Sequence, residues 1–445
     1  MMVSGAKKGE VTAYLSLIFI LFISFVGGIM ESASVQMAKN YRRADMNRAM
    51  ESVFAEYQKE LLDEYEIFAL EATYETGTYG ERNIKKRLEF YGAEGMEQSV
   101  KRLSLLTDHG GQPFLEQVAV YMEEKYGMDK VKDLTGKSAD WKTQEEEAGK
   151  YEENEGQLPE KDNPIAYVAG LKKSSLPELV MPKGKEVSDK QMNLADTLEY
   201  RGKREGYGDF SDVSEGIGKL DHLLLGEYLM EHFPDATKAG QKGDLLDYQL
   251  EYFLEGKGSD RENLEAVVKK LLMLRFVPNY IYLQGNAAKK AEAKAMALSL
   301  CAVLAVPAVT EAAAQVILLA WAYGESLVDI RSLLGGGKIP LVKSDENWQL
   351  SLAGLLKLGE DGDLNDGKDC KEGLGYRDYV RMLLFLTSKE KLGLRALDMI
   401  EGTLRGRFGL AFFRADQCIS KIEMKSTCKL RRGITYQFPT YYGYR

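Results

Sequence analysis

The stretch VTAYLSLIFILFISFVGGIM, residues 11–30, contains apolar, small and hydroxyl-bearing side chains and no charged residue. An α-helix rises about 1.5 Å per residue, so this stretch covers about 30 Å, which is the hydrocarbon thickness of a bilayer. The sequence therefore predicts a transmembrane helix at residues 11–30, preceded by a leader at residues 1–10. This span decides where the rest of the chain folds.

The charges on either side of the span predict its orientation. Lys7 and Lys8 directly precede it, whereas the next positive charges, Lys39, Arg42 and Arg43, lie well beyond its end. Positive charges next to a span favour the cytoplasmic side of the membrane. We expect a single-pass protein of the cell membrane with a cytoplasmic N-terminus and an extracytoplasmic body.

A cleaved secretory signal is the alternative, because Ser32-Ala33-Ser34 offers the small residues that a signal peptidase requires. Against cleavage, the apolar run is long for such a signal, and an amphipathic pattern continues it. Apolar residues recur beyond the span at steps of three and four, namely at Met46, Met50, Val53, Phe54, Tyr57, Leu61 and Tyr65. We expect the span to continue without a break into a helix that packs on the body, with Gly27 and Gly28 as the one place for a bend.

The composition is that of a folded globular body. The chain has 445 residues, of which 44% are hydrophobic and 29% charged, and its net charge is -9. No segment concentrates Lys and Arg with interleaved aromatic residues, and binding to nucleic acid depends on such charges. Nucleic acid is therefore not an expected partner.

An acidic stretch divides the body. Residues 143–164 contain eight acidic side chains and few apolar ones, so their burial cannot offset the entropy lost on ordering. We interpret this stretch as a linker or long loop. It separates a helical stalk and first part of the ectodomain, residues 31–142 with a helix at Pro113–Tyr126, from a main α+β ectodomain at residues 165–445.

Two features predict helices within the main ectodomain. Ser259 and Glu262 form a capping box that starts a helix from Asp260 to about Phe276. Further on, the segments 296–309 and 312–323 are strongly apolar, but each has a length that suits a buried core helix better than a span. A polytopic membrane protein is the alternative interpretation of these two segments.

The C-terminal part contains shorter elements. The patterns predict strands at Ile339–Val342 and Trp348–Leu352, helices at Tyr376–Thr387 and Arg395–Leu404, and an antiparallel hairpin within Phe408–Tyr444. The predicted fold class is α+β, with one N-terminal transmembrane helix that continues into a mainly helical ectodomain, a small antiparallel sheet and a C-terminal hairpin.

The cysteines offer one candidate disulfide. Cys418 and Cys428 are spaced so that they can face each other across the predicted hairpin, and disulfides persist outside the cell. Two unpaired thiols are the alternative.

The sequence predicts no catalytic residue and no cofactor site. The three histidines lie outside HExxH, no serine lies in GxSxG, and no phosphate loop has the required spacing. Carboxylate pairs such as Glu325 with Asp329 have the spacing of neighbours on a solvated helix face. We do not expect an enzyme.

One loop has the oxygen spacing of a calcium site. Side-chain oxygens occupy its first, third, fifth, ninth and twelfth positions, at Asp361, Asp363, Asn365, Asp369 and Glu372. The glycine of such a loop falls one place late here, at Gly367, which favours a polar surface loop over calcium binding.

The N-terminus resembles a known family. Lys7-Lys8-Gly9-Glu10, the apolar helix, and then Arg42-Arg43-Ala44-Asp45 are similar to the start of the minor pilins TadE and TadG of tight-adherence pili. The resemblance implies prepilin-type processing between Gly9 and Glu10. Prepilins carry a glutamate at the fifth mature position, where this chain has Tyr14, and this departure favours an anchored accessory protein over a filament subunit.

The body resembles a second family, the uncharacterised Gram-positive envelope proteins of domain-of-unknown-function family 5702. The matching motifs are Tyr248-Gln-Leu-Glu-Tyr252, Gly256-Lys257 with Ser259-Asp260 and Asn263-Leu264, Ala320-Trp321-Ala322 with Glu325-Ser326 and Asp329, and Tyr376-Arg-Asp-Tyr379. That family implies no reaction and no ligand.

Together these features favour a membrane-anchored structural or assembly component of a tight-adherence pilus or related secretion system. The expected partners are the membrane and the proteins of that system. The alternatives are an anchored surface binding module or enzyme of unknown substrate, and a polytopic membrane protein.

Overall fold

The computed structural model describes residues 6–126, 146, 175–212, 219–303, 309–359, 363 and 365–444. Its first element is a single helix of 49 residues, α1, at Ala6–Phe54. The predicted continuation of the apolar stretch into the body is confirmed, and the helix runs through Gly27 and Gly28. It ends at Phe54, however, and the predicted stripe resumes in a separate helix, α2, at Lys59–Tyr65.

The other described α-helices lie in the region before residue 143 and in the main ectodomain. They are α3 Glu81–Leu88, α4 at 108–126, α5 Leu176–Val180, α6 Lys219–His232, α7 Gln249–Glu255, α8 Asp260–Gly285, α9 Ala287–Val303, α10 Thr310–Leu334, α11 Leu352–Leu355, α12 Tyr376–Leu386 and α13 Lys389–Gly406. The described strands are β1 Leu70–Glu71, β2 Met96–Leu105, β3 Lys338–Ile339, β4 Leu374–Gly375, β5 Cys418–Lys429 and β6 Thr435–Gly443. The fold class is α+β, as predicted.

The main sheet is antiparallel and has β5 at its centre. β2 pairs along one edge of β5, while β1 and β6 share the other. In this register Ile422 lies opposite Leu103 on one side and Tyr442 on the other. The predicted C-terminal hairpin is confirmed, but β2 and β1 come from the part of the chain before residue 143. The sheet therefore joins the predicted stalk region and the predicted main ectodomain in one fold.

The predicted disulfide between Cys418 and Cys428 is not formed, and both residues carry free thiols. They lie near opposite ends of the same strand rather than across the hairpin. Ten residues of extended strand separate them by about 33 Å, whereas the Cα atoms of a disulfide lie about 5.5 Å apart. The pattern predicted the hairpin correctly but placed both cysteines in the wrong register.

The C-terminal half of α1 packs on this sheet. One side of the helix is fully buried, at Met46, Ala49, Met50, Val53 and Phe54. These residues share a hydrophobic cluster with α3 and with strand residues that include Ile422, Met424 and Phe438. The helix that carries the apolar stretch is therefore built into the folded body.

A second hydrophobic cluster is formed by the helices of the main ectodomain. The predicted start of α8 is confirmed, since the Ser259 hydroxyl accepts a hydrogen bond from the backbone N–H of Glu262. Its apolar side, Leu264, Val267, Val268, Leu271 and Leu272, is buried. The helix is longer than predicted and continues through Pro278 to Gly285.

The described residues of the apolar segments 296–309 and 312–323 lie mainly in α9 and α10, and residues 304–308 are outside the described part of the chain. Residues 321–334 of α10 are all buried, as expected of a core helix. α10 packs on both α8 and α9, and α9 buries Ala293, Ala297 and Cys301. Leu298 and Leu300 of α9 remain exposed, so the expectation of burial holds for only part of the pair.

Most of the shorter C-terminal elements match their predictions. α12 matches the predicted helix at Tyr376–Thr387 to within one residue, and α13 contains the one predicted at Arg395–Leu404. α4 contains the predicted helix at 113–126, and β3 covers only Ile339 of the predicted strand Ile339–Val342. The strand predicted at Trp348–Leu352 is wrong. The backbone N–H groups of Gln349 and Leu350 donate to the Glu325 carboxylate at 2.9 and 2.7 Å, so they are not available to a neighbouring strand. The predicted linker at 143–164 lies outside the described residues, except Glu146.

Candidate functional site

The apolar half of α1 is the most unusual surface of the protein. Residues 10–30 are exposed along every side of the helix, with Leu21 and Phe25 at 66% and 64%. A globular protein in water does not expose an apolar surface of this size without a partner or a membrane. By its length and composition, α1 has the properties of a membrane anchor or a signal sequence.

A second described helix, α10, is also long and apolar enough to cross a membrane. Two thirds of its most apolar window, 67%, is buried inside the protein. Its buried half contains Trp321, whose indole N–H donates to the carbonyl oxygen of Leu350 at 2.8 Å. These contacts are those of a helix in a protein core.

The predicted processing residues both lie near the start of α1. Gly9 and Glu10 are in its helical part, and Tyr14, one turn further on, is 66% exposed. The structure therefore places Gly9, Glu10 and Tyr14 within one continuous helix.

The carboxylates of Glu325 and Asp329, expected on a solvated face, are instead fully buried among positive charges. Lys343 lies 2.6 Å from Glu325 and 2.7 Å from Asp329, and Arg275 lies 3.0 Å from Asp329. All four side chains are 0% exposed. Burial raises the pKa of Glu325, and Lys343 opposes that shift.

This buried charge cluster connects three parts of the helical core. Arg275 is on α8, the two carboxylates are on α10, and Lys343 follows β3. Tyr379 of α12 also contacts Arg275, at 3.2 Å. Two positive and two negative charges balance inside the cluster, and each charged group has an ion-pair partner within it, so it has the features of a structural network rather than of a reactive site.

Sequence reasoning missed this cluster because its members are far apart in the chain. Arg275 and Lys343 carry no local signal that distinguishes them from surface cations. The motif residues Glu325, Ser326 and Asp329 did contain a signal, since these three polar residues lie within a largely apolar segment of α10. Such residues on a buried face require partners.

Two further buried carboxyl groups have shifted pKa values. Burial, and then the nearby Asp235, raises the pKa of Glu251 to about 8, and its carboxyl group accepts hydrogen bonds from the Tyr376 hydroxyl and from the Ala236 N–H. Burial likewise raises the pKa of Asp398 to about 7. Each group contacts neighbouring core elements rather than a cleft.

The candidate calcium loop borders an open cleft of about 820 Å³. Asn365, Asp369 and Glu372 line this cleft. Asp363 instead accepts hydrogen bonds from Arg331 at 2.7 Å and from the Gly359 N–H at 2.7 Å. The carboxylate also accepts a hydrogen bond from the side-chain amide of Asn365 at 2.9 Å, so donors of the protein occupy both of its oxygens.

The ionisation of Asp363 reflects these protein contacts. Burial opposes its ionisation, but the N–H groups of Gly359 and Asn365, together with Arg331, hold its pKa below the ordinary value. Asp369 is also engaged, accepting from the N–H groups of Lys338 and Lys371 at 2.9 Å. Asp361 lies outside the described residues. Within the described part of the chain, no group of three or more His, Cys, Asp or Glu side chains is arranged to hold a metal ion.

Comparison with known proteins gives one match. No curated protein and no solved structure is significantly similar to this chain. Residues 154–430, more than half of the chain, match a family of unknown function, DUF5702. The match contains α5 to α13, the buried charge cluster and all of β5. The chain therefore belongs to the family of unknown function DUF5702.

Proposed function

We propose that the chain is a single-pass protein of the cell membrane, with a cytoplasmic N-terminus and an extracytoplasmic body. In this proposal the body acts as a structural or assembly component of a tight-adherence pilus or a related secretion system of a Gram-positive envelope. The choice of this system rests on the resemblance of the N-terminus to TadE and TadG. The proposal assigns no catalytic role.

The continuity of α1 is the observation that carries the proposal. One half of the helix exposes a bilayer-length apolar surface, and the other half is buried in the body at Met46, Met50 and Val53. A flexible tether would let the body move freely above a membrane. A helix that is continuous from the span into the core instead transmits the position of the span to the body, as an assembly component requires.

A second observation supports contact with a partner helix. From the last residue of the span onward, the side of α1 that faces away from the sheet carries exposed apolar residues. Met30, Met37 and Tyr41 are 68%, 57% and 65% exposed and recur at steps of seven and four. This stripe lies opposite Met46, Ala49 and Val53, so the body leaves it free for another protein.

Copurification tests the proposal. The full chain would be extracted from its native membrane in mild detergent and recovered with an antibody against the ectodomain, and the associated proteins would be identified. We expect platform, pilin or secretion ATPase components. Recovery of the chain alone, with none of these components, would contradict the proposal.

A matched pair of variants tests the exposed stripe. Met37→Glu with Tyr41→Glu places two charges on the stripe and is expected to reduce partner recovery several-fold. Gln36→Glu with Asn47→Glu places the same charges on other exposed positions of α1 and is expected to leave recovery unchanged. Equal recovery with both variants would exclude the stripe as the partner surface.

A further inference from the structure

The tip of the β5–β6 hairpin reaches the end of the apolar stretch of α1. Arg432 forms an ion pair with Glu31, the first residue after that stretch. Further along both elements, Arg43 donates to the Tyr436 hydroxyl at 2.9 Å, and the Lys39 ammonium lies 5.3 Å from the centre of the Tyr436 ring. The hairpin thus contacts α1 at two levels.

The two levels show that hairpin and helix run side by side. Eight helical residues from Glu31 to Lys39 cover about 12 Å. Arg432 lies in the turn at the tip, whereas Tyr436 is the second residue of β6. The turn therefore contacts α1 at the boundary of the apolar stretch, and β6 contacts it farther along the helix.

The tip itself is basic, exposed and fixed by a tight turn. Lys429, Arg431 and Arg432 are all exposed, and Ile434 is 38% exposed. The Leu430 N–H donates to the Ile434 carbonyl at 2.8 Å and closes the turn. Its conformation includes positive φ angles of 58° at Arg432 and 74° at Gly433, where glycine is the favoured residue.

The charge of the tip is only partly balanced within the protein. Glu31 pairs with Arg432, and Glu97 of β2 lies opposite Thr427, before the basic tip begins. Among the described residues of this region, Arg432 forms an ion pair, whereas no ion pair joins Lys429 or Arg431 to an acidic side chain. A surface with this charge, at this height on α1, is complementary to an anionic layer.

We propose that the β5–β6 tip binds the anionic phospholipid headgroups of the leaflet that faces the body. This inference rests on the proposed membrane anchoring of α1. With residues 11–30 in the hydrocarbon, Glu31 lies in the headgroup layer, which is about 5–7 Å thick on each side. Lys429, Arg431 and Arg432 are then at the depth of the lipid phosphates, which attract Lys and Arg. The body is held at two points, the span and the tip, which fixes its tilt on the membrane.

Tryptophan quenching in vesicles tests the position of the tip. The full chain carrying Ile434→Trp would be reconstituted with phosphatidylcholine brominated close to the headgroup, and the signal of the wild-type chain would be subtracted. We expect several-fold more quenching than for Tyr200→Trp. Tyr200 is 63% exposed, and its neighbour Arg201 binds Asp416 just before the opposite end of β5. Equal quenching of the two probes would overturn the proposal.

Lipid composition tests the charge recognition. Adding phosphatidylglycerol to the vesicles is expected to increase the quenching of Ile434→Trp. The added changes Lys429→Gln, Arg431→Gln and Arg432→Gln are expected to remove that increase while the thermal unfolding midpoint stays the same. An increase that persists in this variant, or no increase in the parent, would overturn headgroup recognition.

Alkaline extraction of native membranes distinguishes this failure from a failure of the anchor. A wild-type chain that resists extraction, combined with an unquenched tip, would overturn the tip contact alone. A chain released by alkali would overturn the membrane anchoring on which both proposals rest.

Discussion

The hydroxyl of Tyr444 donates a hydrogen bond of 2.5 Å to the backbone carbonyl of Phe54. This contact joins the C-terminal end of the chain to the last residue of α1. The two rings also pack together with centroids 5.4 Å apart, and the Tyr444 ring stacks on Phe68 at 5.7 Å. The end of the chain thus secures the helix that carries the proposed membrane span.

Removing the Tyr444 hydroxyl should destabilise the body measurably. In Tyr444→Phe the Phe54 carbonyl loses its partner, and we expect the free energy of unfolding to fall by about 1 kcal/mol. In Tyr444→Ala the ring packing is lost too, for a total of about 3–5 kcal/mol. Urea unfolding of the detergent-solubilised full chain measures both values. Tyr200→Phe, at an exposed tyrosine, is the control, and a Tyr444→Phe midpoint equal to that control would contradict the role of the bond.

We expect the loss of a partner in the buried charge cluster to lower the free energy of unfolding more than the loss of a partner in an exposed ion pair. Arg275→Met leaves Asp329 buried with Lys343 as its remaining cation, so we expect a loss of about 3–5 kcal/mol in the free energy of unfolding. Lys269→Met removes the exposed partner of Glu265 and should cost no more than about 1 kcal/mol. The same urea experiment compares the two variants. Similar losses would mean that the cluster is not a core element of the fold.

The parts of the fold that were predicted correctly are those with a local signal. The apolar stretch at 11–30, the capping box at Ser259 and the alternation in β6 each lie within a few residues of sequence. The continuity of α1 as far as Phe54 followed from the spacing of its apolar residues. Short-range patterns of this kind fix the type of an element, and they leave its partners open.

The parts that were missed depend on contacts between distant residues. β2 pairs with β5 more than 300 residues away, and Arg102 reaches Glu423 across that pairing. The register that separates Cys418 from Cys428 was equally invisible, since two cysteines ten residues apart suit a hairpin or a single strand. The candidate site followed the same rule: α1 was predicted, whereas the contact between Arg432 and Glu31 at its boundary was not.

The raised pKa of Glu251 predicts that the stability of the protein falls as the pH rises. Its pKa is about 8 in the folded protein, against about 4.3 in an unfolded chain. Between these values the folded state holds a proton that the unfolded state has released, so the free energy of unfolding decreases as pH increases from about 5 to about 8. Asp398, with a pKa of about 7, acts in the same direction.

Glu251→Gln should make this decrease shallower, because the amide keeps an oxygen acceptor for Tyr376 and Ala236 and does not titrate. Urea midpoints across the same pH range measure the slope for the variant and the wild-type chain. Glu372→Gln, at an exposed glutamate of the 365–372 loop, is expected to follow the wild-type slope. A Glu251→Gln slope as steep as that of wild type would show that Glu251 does not hold the extra proton.

The contacts of Asp363 predict that Arg331, rather than calcium, stabilises the loop around it. The carboxylate accepts from Arg331 and from the N–H groups of Gly359 and Asn365, all within 3.0 Å. Binding a calcium ion would require it to give up these bonds. Asp363→Asn removes the charge that Arg331 contacts, and we expect a loss of about 1.5–3 kcal/mol in the free energy of unfolding. Asp366→Asn, at the exposed partner of Lys183, is the control and should cost no more than about 1 kcal/mol.

Isothermal titration of the wild-type chain with calcium is expected to show no heat of binding. Saturable heat that disappears in Asp363→Asn would instead establish a calcium site that reorganises the loop.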